Sequence, residues 1–392
     1  MKKQLLFVTW SLTQGGGEAQ SVVNILNNLN LEKYDIDVFE LNRGCKQVNL
    51  KQSINLIKPI VNYQYNKDLR KQKIKLNNCI RHPEEIVNLF NKTYDCVIAC
   101  NRGITSFLAA FIPSLSKIVW IRGSVENLNS KNYKEIVVQE IINKQKEKQN
   151  QSFKNYDKIV VVSDSLEESF KNLFIEHQNK VVKIYNSIDP DEVIKKADEK
   201  IECYNPTHNN VLINIGRLRE IKNQKLLIDS VEILSKDLSD IELIIIGEGS
   251  LRERLDSYIK EKNLSNIVKL VGFYSNPFPL LKKGNIFCLS SISEGFCLSI
   301  SEANVLNIPF ISTNVGGAKE LLDTACCGYI VDSNPQAFAD KIKEILTNQE
   351  LYKQLQENCK IATTRFSVKQ LALQVEQLID ETLCLKRGGY NV

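Results

Sequence analysis

The sequence predicts an α/β protein made of two doubly wound domains in tandem, each a parallel sheet with helices on both faces. Three observations carry that prediction. Short β-branched runs alternate with longer amphipathic ones along all 392 residues, a length sufficient for two ordinary hydrophobic cores. Many of the short runs, "IELIIIG" and "KIVVVS" among them, are nearly continuously apolar rather than apolar at every second residue, as strands buried on both faces are. The alternation is interrupted once, by the polar stretch "SIDPDEVIKKADEKIECYNPTHNN" with its two prolines, before a new strand starts at Val211. The expected organisation is therefore a first domain over residues 1–187, a linker over 188–209 and a second domain over 210–374. A ligand cleft between the two is the natural site.

Taken in order, the first-half strands are "KQLLFVTW", "YDIDVFEL", "DCVIAC", "KIVWIRG", "KIVVVS" and "KVVKIYN". Those of the second half are "NVLINIG", "IELIIIG", "IVKLVG", "IFCLSS", "PFIST" and "GYIVD". Amphipathic runs fill the gaps, which makes parallel βαβ units.

Composition narrows the function classes. The eleven cysteines are scattered without a paired metal-ligand spacing, so they read as small buried apolar residues in a reducing compartment. No signal peptide is expected, because "MKKQLLFVTW" runs directly into polar "SLTQGGGE". No segment approaches the roughly 20 apolar residues of a membrane span. A cytoplasmic protein is expected, at most peripheral at the inner face of the cytoplasmic membrane. Residues 1–187 hold 27 Lys and Arg against 18 Asp and Glu, and residues 188–392 hold 24 against 28. The basic first half, with "KDLRKQKIK" and "NKQKEKQNQSFK", suits an anionic membrane surface or a phosphate-bearing substrate, or a solvated surface alone. Nucleic acid is not expected, since no stacking aromatics interleave with the basic runs.

Candidate chemistry concentrates at strand-to-helix turns. In "INIGRLREIKNQKLL", Gly216 permits close backbone approach, Arg217 offers a planar fork and Lys222 a mobile point charge. That combination suits a diphosphate. In "SISEGFCLSISEANVL", Glu294 precedes a helix beginning near Leu298 and Glu302 lies inside it, and a helix N-terminus is a ready anion site. "TNVGGAKEL" then puts Gly316 and Gly317 at a further turn, with Glu320 opening the next helix.

As an ordered set these elements resemble the retaining GT-B glycosyltransferases of family 4 (group 1). The set runs from the glycine-rich "TQGGGEAQS" through "VVVSDS", "VVKIYNSID", "IGRLREIKN", "LIIIGEGSLRERL", "VKLVGF" and "EGFCLSISE" to "TNVGGAKEL". The resemblance covers nearly the whole chain and is strongest from Val211 to Asp332. It implies a GT-B fold of two Rossmann-like domains facing across a cleft, the second binding a nucleotide-sugar donor. By resemblance, Arg217 and Lys222 hold the donor diphosphate, Glu302 accepts from the ribose hydroxyls, and Glu294 contacts hydroxyls of the transferred sugar. Gly272 and Phe273 border the base, and the backbone of Phe296, Cys297 and Leu298 adds N–H donors to the phosphates. The implied reaction is metal-independent, needs no cofactor and retains the anomeric configuration. It moves a sugar, from a UDP-sugar by expectation, to a glycan or lipid-linked acceptor in surface polysaccharide or glycoconjugate synthesis. The tail "LALQVEQLIDETLCLKRGGYNV" is expected to pack back on the first domain from residue 375 onward.

A glycosidase, with two facing carboxylates, has no use for the Arg217/Lys222 pair. A nucleoside diphosphate leaving group does. Many family members have a first-domain histidine at the end of the strand that here reads "KIVWIRGS". This chain has Arg122 there, and its three histidines, His82, His177 and His208, fall elsewhere. Arg122 cannot serve as a base at neutral pH, so it is read as a phosphate binder or a structural ion pair. Asn101 and Arg102, after the preceding strand, are expected to line the same cleft. Gly15, Gly16 and Gly17 lack the GxGxxG spacing of a dinucleotide loop and are read as closing over the donor phosphate or sugar from the first domain. The missing histidine supports one alternative from another class, a non-catalytic subunit that binds a nucleotide-sugar or glycan. A sugar-nucleotide epimerase on the same fold is disfavoured by the two spaced glutamates. Base, sugar, acceptor and oligomeric state stay open at this level.

Overall fold

The computed structural model describes residues 1–13, 16–44, 47–63, 69–125, 128, 136–362 and 367–388. The chain forms two compact units, Met1–Ser187 with Val368–Val392, and Ile188–Ser367.

The first unit is built on a seven-stranded sheet of order β4-β2-β1-β6-β7-β8-β9, with every pairing parallel. Its strands are β1 (Lys3–Thr9), β2 (Tyr34–Glu40), β4 (Asn55–Ile57), β6 (Tyr94–Ala99), β7 (Ser114–Ile121), β8 (Lys158–Val161) and β9 (Val181–Lys183). A short parallel pair, β3 (Asn42–Arg43) and β5 (Val61–Asn62), stands beside them. The helices are α1 (Gly17–Asn28), α2 (Leu69–Arg81), α3 (Ile104–Ala109), α4 (Ile136–Lys154), α5 (Asp164–Leu173) and α14 (Val368–Gly388). Leu5, Leu6, Val8, Ile98, Val119 and Ile121 are wholly buried, which is why these runs read as continuous apolar strands. From β1 the order runs one way to β2 and β4, and the other way through β6 to β9. The carboxyl ends of β1 and β6 therefore flank the switch point where open α/β sheets bind ligands.

Helix α14 belongs to this unit. Asp380 accepts from Lys3 Nζ at 2.6 Å and from Tyr34 Oη at 2.9 Å, and Glu376 accepts from the Asn30 N–H at 2.7 Å. Leu371, Ala372, Val375, Leu378 and Ile379 are buried in one stripe. Because that stripe starts before residue 375, the helix cannot be divided where the sequence reading divided it.

The second unit carries a six-stranded parallel sheet of order β12-β11-β10-β13-β14-β15. Its strands are β10 (Asn210–Ile215), β11 (Ile241–Ile246), β12 (Val268–Gly272), β13 (Ile286–Leu289), β14 (Phe310–Ser312) and β15 (Gly328–Ile330). Its helices are α6 (Pro190–Ala197), α7 (Gln224–Leu234), α8 (Arg252–Glu261), α9 (Phe278–Leu281), α10 (Leu298–Val305), α11 (Ala318–Ala325), α12 (Pro335–Thr347) and α13 (Gln349–Ala362). Leu227, Ile228 and Val231 of α7 share a core with Leu243 and Ile245 of β11 and with Phe338 and Ile342 of α12. Each such side chain contributes roughly 1.5–3 kcal/mol on full burial.

Residues 188–209 are not a free linker. Asp189 caps α6 by accepting from the Glu192 N–H at 3.2 Å, and Ile188 and Val193 pack against Val305 of α10. Beyond α6, the Tyr204 hydroxyl (2.5 Å) and the Thr207 N–H (2.7 Å) both donate to the buried Glu242 carboxylate of β11. The polar composition concealed one apolar stripe and one buried acceptor, and these fix the segment to the second unit.

Candidate active site

In the second unit the strand order reverses between β10 and β13, and the candidate residues gather at that end of the sheet. Gly216, Gly247 and Gly272 follow or end three neighbouring strands. Gly216 N–H donates to the Ile246 carbonyl at 3.0 Å, and Gly247 N–H donates to the Gly272 carbonyl at 2.8 Å. A Cβ on Gly247 would stand 2.0 Å from the Gly216 carbonyl oxygen, and Gly272 has φ of +84°. A larger residue at Gly247 would push the ends of β10 and β11 apart, and one at Gly272 would be strained by its positive φ. Phe273, next in the chain, is 62% exposed, so its ring presents a stacking surface beside this edge.

Two loops hold Lys222 and Glu294 together. Ser290 Oγ donates to the Lys222 carbonyl at 2.9 Å and Ile292 N–H to the Ile221 carbonyl at 2.8 Å. Lys222 Nζ then donates to Glu294 Oε1, and Ser291 Oγ donates to the same oxygen at 2.6 Å. The two charged side chains are 26% and 15% exposed, shielded yet open to a ligand. The Lys222 stem runs beside Gly216, whose absent Cβ would lie 3.7 Å from Lys222 Cδ. Arg217 is exposed, and its guanidinium has no partner among the described residues. Gln224 Nε2 donates to the Arg217 carbonyl at 3.1 Å, while Gln224 Oε1 is buried without a partner. Ser291 and Gln224 escaped the sequence reading. The run "SSISEG" and the glutamine opening α7 were the available signals.

The α10 end differs in part from expectation. Leu298 N–H bonds the Phe296 carbonyl at 3.0 Å, so it is not the free phosphate donor that the sequence reading assigned. Cys297 turns its thiol inward, donating to the Gly316 carbonyl at 3.0 Å and accepting from the Ala318 N–H, and burial raises its pKa well above the usual thiol range. Buried Phe296 lies against Gly317, whose φ is +85° and whose Cβ would stand 2.8 Å from the Cys297 nitrogen. The turn before α11 thus locks the turn before α10. Glu302, half-buried on α10, is enclosed closely enough that desolvation pushes its carboxyl up to about 7, opposed weakly by Lys196. No group among the described residues hydrogen-bonds it.

In the first unit, Gly15 lies outside the described residues. Gly16, with φ of +98°, precedes α1, and Gly17 is its first residue. Asn101 Oδ1 accepts from Thr9 Oγ1 at 3.1 Å and Trp10 N–H at 3.3 Å, joining the ends of β1 and β6. Arg102 Nη2 donates to the Ser124 carbonyl at 2.9 Å. Arg122, at 6% exposure, donates from Nη1 to Ser21 Oγ and Asn186 Oδ1, both at 2.6 Å, and from Nε to the Cys100 carbonyl at 3.2 Å. Its guanidinium lies 5.0 Å from the Trp120 ring centre. Among the described residues it forms no ion pair. Sequence reading missed Glu40, which accepts from the Leu12 N–H at 2.8 Å and so holds the approach to the glycine run. None of the three histidines is here: His177 is buried against Phe153, His208 neighbours Glu242 and His82 neighbours Glu84. Among the described residues no three His, Cys, Asp or Glu side chains gather as a metal site requires, and no helix is long and apolar enough to cross a membrane.

This is the GT-B architecture. Solved structures that share it include HepE from Anabaena in complex with UDP and glucose, at 18% identity and a TM-score of 0.69 over 97% of this chain and 100% of that one. Sucrose-phosphate synthase from Thermosynechococcus elongatus is 15% identical, with a TM-score of 0.75 over 98% of this chain and 100% of that one. Within that architecture, residues 195–361 match the family described as glycosyl transferases group 1, in line with the group 1 part of the resemblance read from the motifs. An uncharacterized glycosyltransferase, MJ1059 of Methanocaldococcus jannaschii, is 33% identical over 215 residues, 52% of this chain and 50% of that protein. The N-acetylgalactosamine-N,N'-diacetylbacillosaminyl-diphospho-undecaprenol 4-alpha-N-acetylgalactosaminyltransferase of Campylobacter jejuni is 31% identical over 191 residues, 48% of this chain and 50% of that protein. The chain spans about half the length of these curated relatives.

Proposed function

We propose that the chain is a glycosyltransferase that moves a sugar from a UDP-sugar to a glycan or lipid-linked saccharide, with retention at the anomeric carbon and no metal ion or cofactor. The observation that carries the reading is the second unit's charge arrangement: Lys222 held on Glu294 at the switch point, beside the unpartnered Arg217. Cleaving a sugar from a nucleoside diphosphate builds negative charge on the leaving phosphate, and preorganised cations stabilise it most effectively. Arg217 and Lys222 supply that role where other enzymes use a divalent ion. Glu294, fixed through Oε1, keeps Oε2 for a sugar hydroxyl, and Glu302 accepts from the ribose hydroxyls once ionised. Phe273 borders the base. The leaving phosphate, once freed, acts as base toward the incoming hydroxyl on the same face of the sugar, which gives retention.

UDP is favoured because HepE, which shares the fold, is described with UDP and glucose. A lipid-linked acceptor agrees with the undecaprenol-linked acceptor in the Campylobacter relative's name. It also suits the basic first half and a peripheral position at the inner membrane face. The test is UDP release from a panel of UDP-sugars, with and without acceptor. Arg217→Ala is expected to lower turnover or donor affinity about ten- to a hundredfold, the loss of one charge-assisted contact. Unchanged donor kinetics would remove Arg217 from the diphosphate site. UDP binding without hydrolysis or transfer of any sugar would instead mark a non-catalytic subunit.

A further inference from the structure

Two cysteines that stand far apart in the sequence meet in the second unit. Cys327, at the entry to β15, and Cys359 of α13 are both wholly buried, and they converge on one side chain. Asn304 of α10, itself 1% exposed, donates from Nδ2 to Cys327 Sγ at 3.2 Å. Cys359 Sγ lies 3.6 Å from Asn304 Oδ1 and 4.0 Å from the Cys327 carbonyl oxygen, with its S–H in hydrogen-bond reach of the Cys327 sulfur. The amide offers a donor to one sulfur and an acceptor to the other, which sets their roles. Cys327 is the sulfur that receives protons and Cys359 the one that gives. The S–H of Cys359, assisted by the Asn304 donor, draws the Cys327 thiol below its usual range. The same contact, with burial, raises that of Cys359. A sulfur that favours the thiolate, with a second thiol against it, is poised for disulfide chemistry.

The surroundings hold the two segments together and keep them close to solvent. Asn358 Nδ2 donates to the Cys326 carbonyl at 3.1 Å, so the residues preceding the two cysteines are themselves joined. Cys326, with φ of +49°, ends α11 and is exposed, and Asn358 is half-exposed. The pair thus lies one residue below the surface on both of its segments, within reach of a small oxidant by local opening.

We propose that Cys327 and Cys359 are a reversible dithiol–disulfide pair, oxidised by hydrogen peroxide, whose closure staples α13 to the turn between α11 and β15. The Cys327 thiolate attacks one peroxide oxygen and the O–O bond breaks. The leaving hydroxide takes up a proton to become water, and Cys327 is left as a sulfenic acid. The Cys359 sulfur then attacks the Cys327 sulfur: the S–S bond forms, the S–O bond breaks, and a second water leaves with the Cys359 proton. Two thiols and one peroxide become one disulfide and two waters, the sulfurs supplying the two electrons. A small dithiol reverses the step by exchange. None of this depends on the transferase reading.

The test uses the full-length Cys326→Ser protein, so that only Cys327 of the adjacent cysteines can react. It is treated with hydrogen peroxide, its remaining thiols are blocked, and it is digested with trypsin. Cleavage after Lys319, Lys341, Lys353 and Lys360 places Cys327 and Cys359 on separate peptides. Mass spectrometry should find those two peptides cross-linked, and dithiothreitol should separate them. The oxidised protein should unfold at a higher urea concentration than the reduced one, because the link restricts the unfolded chain. Adding Cys359→Ser should abolish both the link and the shift. Peptides recovered unlinked, or either cysteine linked elsewhere, would overturn the proposal, and that mapping is made on a chain that keeps both thiols. A urea midpoint that does not rise on oxidation, or that rises equally with Cys359→Ser, would overturn the staple.

Discussion

Arg122 of the first unit and Arg217 of the second both follow a parallel strand at the ligand-binding end of a sheet, and they are held in opposite ways. Arg122 is buried, with three hydrogen bonds to neutral groups and a tryptophan face beneath it. Arg217 is exposed, and its side chain touches no partner among the described residues. The carboxylates repeat the contrast. Glu40 of the first unit accepts from the Leu12 N–H, while Glu302 of the second accepts from nothing described. In the first unit the charged groups are part of the fold. In the second, Glu242 likewise belongs to the fold, but Arg217 and Glu302 at the ligand-binding end stand apart from it among the described residues. Stability and function should therefore separate cleanly in one unit and not in the other.

The largest effect expected is on Arg122. Arg122→Ala removes three hydrogen bonds from a buried site and leaves the Cys100 carbonyl and Ser21 Oγ without the guanidinium donor, while Asn186 Oδ1 keeps only Ser21, a loss of about 2–4 kcal/mol. Urea unfolding followed by tryptophan emission measures it. A variant as stable as the parent would show that Arg122 is carried at a cost for ligand binding alone, and would erase the contrast from the first unit's side.

Glu302 gives the next effect, through pH. Its carboxyl titrates at about 7 rather than 4.5 because burial disfavours the charge. Between those values the folded chain binds a proton that the unfolded chain has lost, so this group's contribution to stability falls as pH rises through that window. UDP, which needs an ionised acceptor for the ribose hydroxyls, should bind several-fold more tightly at pH 8 than at pH 6. Glu302→Gln should flatten that profile. A profile unchanged in the variant would place the titrating group elsewhere.

Lys222 sharpens the comparison. Its pair with Glu294 is partly exposed, so Lys222→Ala should cost no more than about 1 kcal/mol of stability. It should nonetheless lower turnover by about a hundredfold if the ammonium stabilises the leaving phosphate. Should a thermal melt show a loss comparable to Arg122→Ala, Lys222 would belong to the fold after all.

Much of this was legible because it is local. "IELIIIG" could only be a doubly buried strand, and the spacing of Glu294 and Glu302 set one before α10 and one within it. What stayed hidden depends on residues far apart in sequence. The fixing of 188–209 rests on Glu242, more than thirty residues away from Tyr204 and Thr207. The docking of α14 depends on contacts of Asp380 and Glu376 with Lys3 and Asn30 at the other end of the chain. Leu298 lost its phosphate role to a single backbone bond to Phe296, and no side-chain pattern reports such a bond. The burial of Arg122 among neutral groups depends on Ser21 of α1, Cys100 after β6 and Asn186 after β9, and the tripeptide "IRG" says nothing of it.

The smallest stability effect is expected at Arg217, where the comparison is most exposed to failure. An exposed side chain with no partner contributes nothing that folding could lose, so Arg217→Ala should unfold within about 0.5 kcal/mol of the parent. The reason for the residue must then lie outside the fold. Its backbone carbonyl, held by Gln224 at 3.1 Å, stays in place in the alanine variant, so the turn should persist and only the fork disappear. A urea midpoint equal to the parent's, together with weaker UDP binding, isolates the guanidinium as a ligand contact. A midpoint shifted by more than about 1 kcal/mol would mean that Arg217 supports the turn before α7, and the contrast between the two arginines would then be one of degree.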